Sequence, residues 1–221
     1  MTTQQQMSRV ERRKLATRQS MLDAGRRLVA RHGISDLSVQ SVTEDADVAL
    51  GTFYNYFDDK LSLFRALGEE DMELTGARLP IAVGDDDDVV TQIAAITALG
   101  CARAWADREF AAYTWEMYCG GHFPGDALAE VFCGRHGEAV RQGLLPAMPG
   151  PLAMATYFGT TFSHCRAIAA GEIHTSLDDT VEALLDVILR GLGASDQTRS
   201  SAIAAVMSRA PETWWELELS R

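Results

Sequence analysis

Residues 38–60 read SVQSVTEDADVALGTFYNYFDDK. Ser38 can cap a short helix in which Val39, Val42 and Ala46 recur at helical spacing. A tight break follows at Asp47. Residues 49–57, ALGTFYNYF, then form a second short helix. In it Phe53 and Phe57 stand four apart and face inward, while Gly51 with Asn55 and Thr52 with Tyr56 form the adjacent outward rows. Asp58 and Asp59 suit the start of a further helix, where carboxylates meet the positive end of the peptide dipole. Two short helices joined by a three- or four-residue turn make a helix-turn-helix.

The same period extends outward in both directions. A first helix is expected from Val10 to His32, with Leu15, Leu22, Gly25 and Val29 along one face and Gly33 as its stop. The helix that opens at Asp58–Asp59 is expected to run to Leu79. The segment PIAVGDDDD reads as a loop whose acidic run caps the next helix. Further helices are expected over Val89–Ala106, Glu109–Cys119, Gly125–Leu145, Pro151–Gly171, Leu177–Leu192 and Asp196–Arg209, broken at Gly120–Gly121, LLPAMPGP and Gly191–Ala194. Trp214 and Trp215 are expected to pack on the body. With no repeated strand-like alternation, the fold class is all-α: an N-terminal three-helix helix-turn-helix domain and a larger C-terminal helical domain. The division is set at 1–65, including a basic arm over 1–20, and 66–221.

Charge is distributed unevenly over the 221 residues. The formal net charge is −11, yet residues 1–65 hold 10 Lys and Arg against 8 Asp and Glu. The remainder holds 10 against 23. Arg9, Arg12, Arg13, Lys14 and Arg18 oppose only Glu11 within the first 20 residues. A small basic end on an acidic body suits a molecule that touches phosphates at one end only. No apolar run approaches the roughly 20 residues of a membrane span, and the polar, then basic start lacks a secretion signal, so a cytoplasmic location is expected. Cys101, Cys119, Cys133 and Cys165 form no CxxC pair and read as free thiols.

A helix that enters the major groove is narrow and polar on one side and apolar on the other. Residues 49–57 fit. Gly51 allows close approach to DNA. Thr52, Tyr54, Asn55 and Tyr56 offer hydroxyl and amide groups to phosphates and base edges, and the Lys60 ammonium lies just beyond. The stretch TRQSMLDAGRRLVARHGISDLSVQSVTEDADVALGTFYNYFDDKLSLFRAL, residues 17–67, resembles the N-terminal domain of the TetR (tetracycline-repressor) family. The resemblance rests on Gly33, the capped Ser38–Ala46 helix, Val48, Gly51-Thr52, Tyr54, Phe57, Lys60 and the apolar helix from Leu61. It implies DNA contacts from Gln40, Leu50, Gly51, Thr52, Tyr54, Tyr56 and Lys60, with the basic arm near the backbone or minor groove. Two departures stand out. Asp47 replaces the family's turn glycine, and Asp tolerates left-handed backbone less well than Gly but better than most residues. Ala49 and Leu50 stand where Ser and a polar or basic residue are common, which removes potential phosphate and base contacts.

In the body, VEALLDVILRGL at 181–192 has one narrow polar stripe of Glu182, Asp186 and Arg190. So much apolar circumference suggests two buried faces, one against the chain's own core and one against a symmetry-related partner. Val181, Leu184, Leu185, Ile188, Leu189 and Leu192 are the expected homodimer contacts, and the resemblance implies a four-helix interface. An aromatic and methionine-rich region, including Phe123, is the expected small-molecule site. Its expected wall is Trp105, Tyr113, Trp115, Glu116, Tyr118, Phe132, Met154, Tyr157, Phe158 and Phe162, with His136 and His164 as further polar anchors. No GxSxG, Walker, HExxH or GxGxxG motif appears, so no enzyme is expected. No metal or cofactor is expected either. Cys133 and His136 supply two ligands at most, too few for a zinc site, and read as a core cysteine beside a surface histidine. The expected function is a DNA-binding transcriptional regulator. It would act as a repressor, released from a palindromic double-stranded operator by a small, mainly apolar effector. The alternatives are a regulator governed by a partner protein or by cysteine redox state, and an enzyme in the C-terminal body.

Overall fold

A computed structural model describes residues 8–122 and 125–209. Trp214, Trp215, Phe123 and the first seven residues of the basic arm lie outside the described residues. Eleven helices and no strand occur among those described. In chain order they are α1 Arg9–His32, α2 Val39–Asp45, α3 Leu50–Phe53, α4 Lys60–Gly76, α5 Leu79–Ala82, α6 Val89–Ala106, α7 Arg108–Cys119, α8 Gly125–Arg141, α9 Gly150–Ala169, α10 Leu177–Gly191 and α11 Asp196–Met207.

Local chemistry explains where these helices begin. Ser8, Ser38 and Asp59 each accept a hydrogen bond from the third helical backbone N–H, and Glu11, Ser41 and Ser62 answer onto the cap's own N–H. Asp88, Asp107, Ser176 and Ser195 cap α6, α7, α10 and α11. The acidic loop therefore caps α6, through its last aspartate. Asp87, the residue before it, is gripped by Arg209 at 2.5 and 2.7 Å, which fastens the end of α11 to the α5–α6 loop. Pro80 sits within α5, a one-turn helix in what the sequence shows only as loop.

The basic segment from Arg9 to Arg18 forms the first turns of α1, exposed as far as Ala16, with Arg18 half-buried over the Phe57 ring at 5.7 Å. Farther along, α1 becomes amphipathic and buries Met21, Leu22, Ala24, Gly25 and Val29. A Cβ on Gly25 would come within 3.1 Å of Leu63 Cδ2, so the glycine sets how closely α1 and α4 cross. The last turns of α1 and the loop after it pack on α7, where Ile34 fits over Gly120.

Helix α6 forms the centre of the body and touches α5, α7, α8, α9, α10 and α11. It is the one described helix long and apolar enough to cross a membrane by length and composition, and 72% of it is buried inside the fold. The six residues expected at a dimer interface are buried here too. Val181, Leu184, Leu185, Ile188, Leu189 and Leu192 are each at most 1% exposed within a single chain. Neighbours α6, α9 and α11 already cover the apolar arc of α10, so these side chains cannot meet a second copy. The exposed row on α10 is instead Glu182, Ala183, Val187, Arg190 and Gly191. On the adjoining α9 it includes Leu152, Ala155 and Ser163. Thr156 of α9 seats against Gly191, a position where a Cβ would fall 2.7 Å from Thr156 Cγ2.

Candidate nucleic-acid interface and body cavity

The turn between α2 and α3 has the geometry of a left-handed helix stop. Asp47 is the one described non-glycine residue with positive φ, at 53°. Val48 N–H donates to Thr43 O at 3.0 Å and Asp47 N–H to Glu44 O at 3.3 Å, the paired bonds that close a helix around a left-handed residue. Ser20 of α1 donates to Ala46 O, and Arg27 of α1 pairs with Asp45 at 2.6 Å. Both ties hold the end of α2 on α1. The next segment is anchored by Phe53 and Phe57, which are 0% and 4% exposed with ring centroids 5.3 Å apart.

The regular part of α3 is shorter than expected, four residues rather than nine. Bonds from Asn55 N–H to Thr52 O, Tyr56 N–H to Phe53 O and Phe57 N–H to Phe53 O continue the winding to Phe57 with a tightened last turn. Of the residues expected to meet DNA, Gln40, Leu50, Gly51, Tyr54 and Asn55 are exposed, and Thr52, Tyr56 and Lys60 are half-buried. Gln40 donates to Glu44 at 2.8 Å. Tyr54 packs edge-on against Phe53 while keeping over half its surface exposed. A Cβ on Gly51 would meet nothing within 4 Å, so the fold itself does not require glycine there. Lys60 has an internal partner that the sequence does not reveal. Its ammonium donates to Leu37 O at 3.0 Å and lies 5.9 Å from the Phe64 ring, clamping the start of α4 to the loop before α2.

The body contains a partly open cavity of about 90 Å³ between α4, α6, α7 and α9, reached by Leu128 of α8. Tyr157, Phe158 and Phe162 of the expected ligand wall line it. Phe132 stacks behind Tyr157 at 4.3 Å and Tyr118 lies 4.8 Å from Phe162. Trp105 lines a separate groove with Arg108 and His174. Tyr113 is fully buried beneath Arg26, and Glu116 lies against Gly33. Trp115 and Met154 are half-buried and do not line the cavity. The expected wall is thus dispersed, and three of its ten members meet at one cavity.

Sequence reasoning missed the polar end of that cavity. Asp71 of α4 and Arg103 of α6 line it, 3% and 6% exposed. Arg103 donates to Asp71 Oδ1 at 2.6 Å, and Arg26 of α1 donates to the same oxygen at 3.1 Å and to Glu70 at 2.9 Å. Phe110 covers the Arg103 guanidinium at 3.6 Å. Burial and the Asp71 carboxylate push the Tyr113 hydroxyl well above its usual range. The Thr97 and Tyr157 hydroxyls, 3.0 Å apart, satisfy each other deeper in. No local pattern marks Asp71 and Arg103 as partners, because 32 positions separate them.

The sulfur and imidazole groups give little chemistry. Burial pushes the Cys101 and Cys165 thiols up to about 12, which leaves almost no reactive thiolate. The expectation for the i,i+3 pair is reversed, with Cys133 exposed and His136 buried against Phe132. Burial lowers the pKa of His136, which keeps its ring neutral. Among the described residues, no three His, Cys, Asp or Glu side chains are grouped to hold a metal.

A capped helix, a left-handed turn and a short helix with exposed polar rows define a DNA-binding regulator of transcription. Residues 21–67 match the family described as bacterial regulatory proteins, tetR family. No curated protein matches the sequence. Among solved structures, a TetR family transcription regulator from Marinobacter aquaeolei VT8 shares the fold at TM-score 0.66 and 19% identity, over 83% of this chain and 99% of that one. The fatty acid degradation regulator FadR from Bacillus halodurans aligns at 0.62 and 20%, over 81% and 97%. RolR in complex with resorcinol aligns at 0.60 and 23%, over 86% and 95%.

Proposed function

We propose that this chain is a homodimeric repressor that leaves a palindromic operator when a small, mainly apolar molecule occupies its body. The observation that carries the reading is the course of α4. It starts at Lys60, beside the recognition segment, and forms the cavity wall at Asp71, Met72 and Thr75. Eleven residues of helix separate Lys60 from Asp71, about 16 Å of rigid connection. A division into a DNA-reading unit over 1–65 and an effector and dimer unit over 66–221 falls inside α4, so that helix serves both. The resorcinol bound by RolR supports a small aromatic effector for this fold.

In this reading Leu50, Gly51, Thr52, Tyr54, Asn55 and Tyr56 enter the major groove, Gln40 and Lys60 approach phosphates, and the exposed cations of α1 add sequence-independent attraction. Two copies meet through the exposed rows of α9 and α10, which places their recognition segments on successive turns of one DNA face. An effector preferring one spacing of the two heads by about 100-fold supplies nearly 3 kcal/mol of coupling. Control by oxidation of Cys101 or Cys165 is disfavoured by their burial.

The test is a fluorescence-anisotropy titration of DNA selected by the protein, with and without compounds that raise its melting temperature. A stabilising compound is expected to weaken DNA binding at least tenfold. Stabilising compounds that leave DNA affinity unchanged would remove the effector part of the proposal.

A further inference from the structure

Where the end of α6 and the start of α7 meet the loop between α9 and α10, a groove of about 240 Å³ opens to solvent. Trp105, Ile168 and Ile173 give it apolar walls, and Arg108, His174 and Thr175 give it polar ones. None of these residues lines the cavity at Asp71. Gly171 turns the loop with φ of 68°. A Cβ there would fall 3.5 Å from an Arg108 guanidinium nitrogen, so the guanidinium lies close over the loop.

No carboxylate lines this groove, in a chain whose net charge is −11. The acidic groups on the surrounding elements serve other partners. Asp107 caps α7, and Glu109 acts on Arg27 of α1. Glu172 holds Arg166 through two bonds, at 2.7 and 3.1 Å. Asp179 accepts from Ser176, and half-buried Asp178 does not line the groove. Arg108 and His174 make no ion pair and no side-chain hydrogen bond among the described residues. Thr175 is already engaged, since its hydroxyl meets that of Thr180, which donates to Ser176 O. Recognition therefore falls to the guanidinium and the imidazole.

We propose that this groove is a second ligand site, which takes a small organic monoanion, a carboxylate on a flat apolar ring. The guanidinium fork matches a carboxylate with two parallel N–H donors. His174 supplies an N–H donor in either tautomer. The indole of Trp105 offers a face to a flat ring. Charge sets the valence. The acidic body repels a multiply charged anion more than a single carboxylate, and a neutral molecule leaves the Arg108 fork unanswered. Size fits as well, because a cavity of roughly 150 Å³ accommodates benzene elsewhere. Bound here, the anion bridges the α6–α7 corner and the loop that joins the two helices of the proposed dimer face.

Calorimetric titration of the full chain with benzoate, benzamide and inorganic phosphate tests this. Benzoate and benzamide share a ring and a shape and differ in charge. Benzoate is expected to bind at least about tenfold more tightly than either of the others, in line with hydrogen bonds between charged groups. Arg108 is exposed, so Arg108→Gln is expected to keep the circular-dichroism spectrum of the wild type. It should weaken benzoate at least about tenfold, towards the affinity of benzamide. A nuclear magnetic resonance titration locates the site. Benzoate is expected to shift the Trp105 indole N–H signal, assigned by its loss in Trp105→Phe. Benzamide or phosphate binding as tightly as benzoate, benzoate binding untouched by Arg108→Gln, a Trp105 signal that stays fixed at high benzoate, or no benzoate binding would each overturn the proposal. DNA affinity measured without ligand is independent of these outcomes, so their failure is distinguishable from failure of the regulator reading.

Discussion

At Asp47 the backbone turns with φ of 53°, a conformation that costs an L residue roughly 1–2 kcal/mol, less for Asp. Gly relieves that strain but gains freedom in the unfolded chain worth about 0.4–1 kcal/mol. Asp47→Gly is therefore expected to stabilise by about 0.5 kcal/mol and raise the melting temperature by roughly 1–2 °C. A lower melting temperature would show that the aspartate makes a compensating contact. Gly51 and Tyr54 separate folding from DNA reading. Gly51 has room for a Cβ and Tyr54 is exposed, so Gly51→Ala and Tyr54→Ala should leave stability within about 0.5 kcal/mol or slightly raise it. Each is expected to weaken DNA binding by about 1–3 kcal/mol at fixed salt, read by anisotropy. Lys60→Met combines two effects. It loses the bond to Leu37 O, costing about 1 kcal/mol of stability, and should flatten the salt dependence of DNA affinity by about one ion.

At the scale of elements, caps were the most legible features, because a cap acts within four residues. Ser38 and the Asp58–Asp59 pair each mark a helix start that the structure shows. Rotation of a helix about its axis was less legible. The pattern of α10 shows a wide apolar arc but not that α6, α9 and α11 cover it within one chain. The spacing of Cys133 and His136 places them on one helix without saying which faces inward. Long-range ionic ties left no local trace, and two of them carry predictions. Arg103→Met leaves the buried Asp71 with Arg26 as its one remaining guanidinium partner, and should cost about 3 kcal/mol in urea unfolding. The Asp87 carboxylate is held below its usual range, chiefly by the hydrogen bond from Arg209. Its contribution is therefore complete at neutral pH and is lost as pH falls through and below the ordinary carboxylate range. Arg209→Gln should make acid unfolding less steep there. An unchanged acid limb in that variant would contradict the clamp.

For the whole molecule, symmetry links the two ends of the chain. A palindromic site needs two recognition segments at a fixed spacing, and the exposed rows of α9 and α10 are the surface proposed to set it. Val187 is 51% exposed and Leu185 is 0% exposed, one on each side of α10. Val187→Asp is expected to yield a folded monomer, with dimer dissociation raised at least tenfold in sedimentation. Leu185→Asp should unfold the chain, because it buries an unpaired charge. A Val187→Asp chain that remains fully dimeric at micromolar concentration would place the interface elsewhere. The most direct measurement of the central claim is selection of duplex DNA from a random-sequence library by the wild-type chain and by Tyr54→Ala. The account predicts that the wild type enriches an inverted repeat with half-sites about 10 base pairs apart and that folded Tyr54→Ala loses that enrichment. Failure of the wild type to enrich any sequence, or identical enrichment by both proteins, would contradict it.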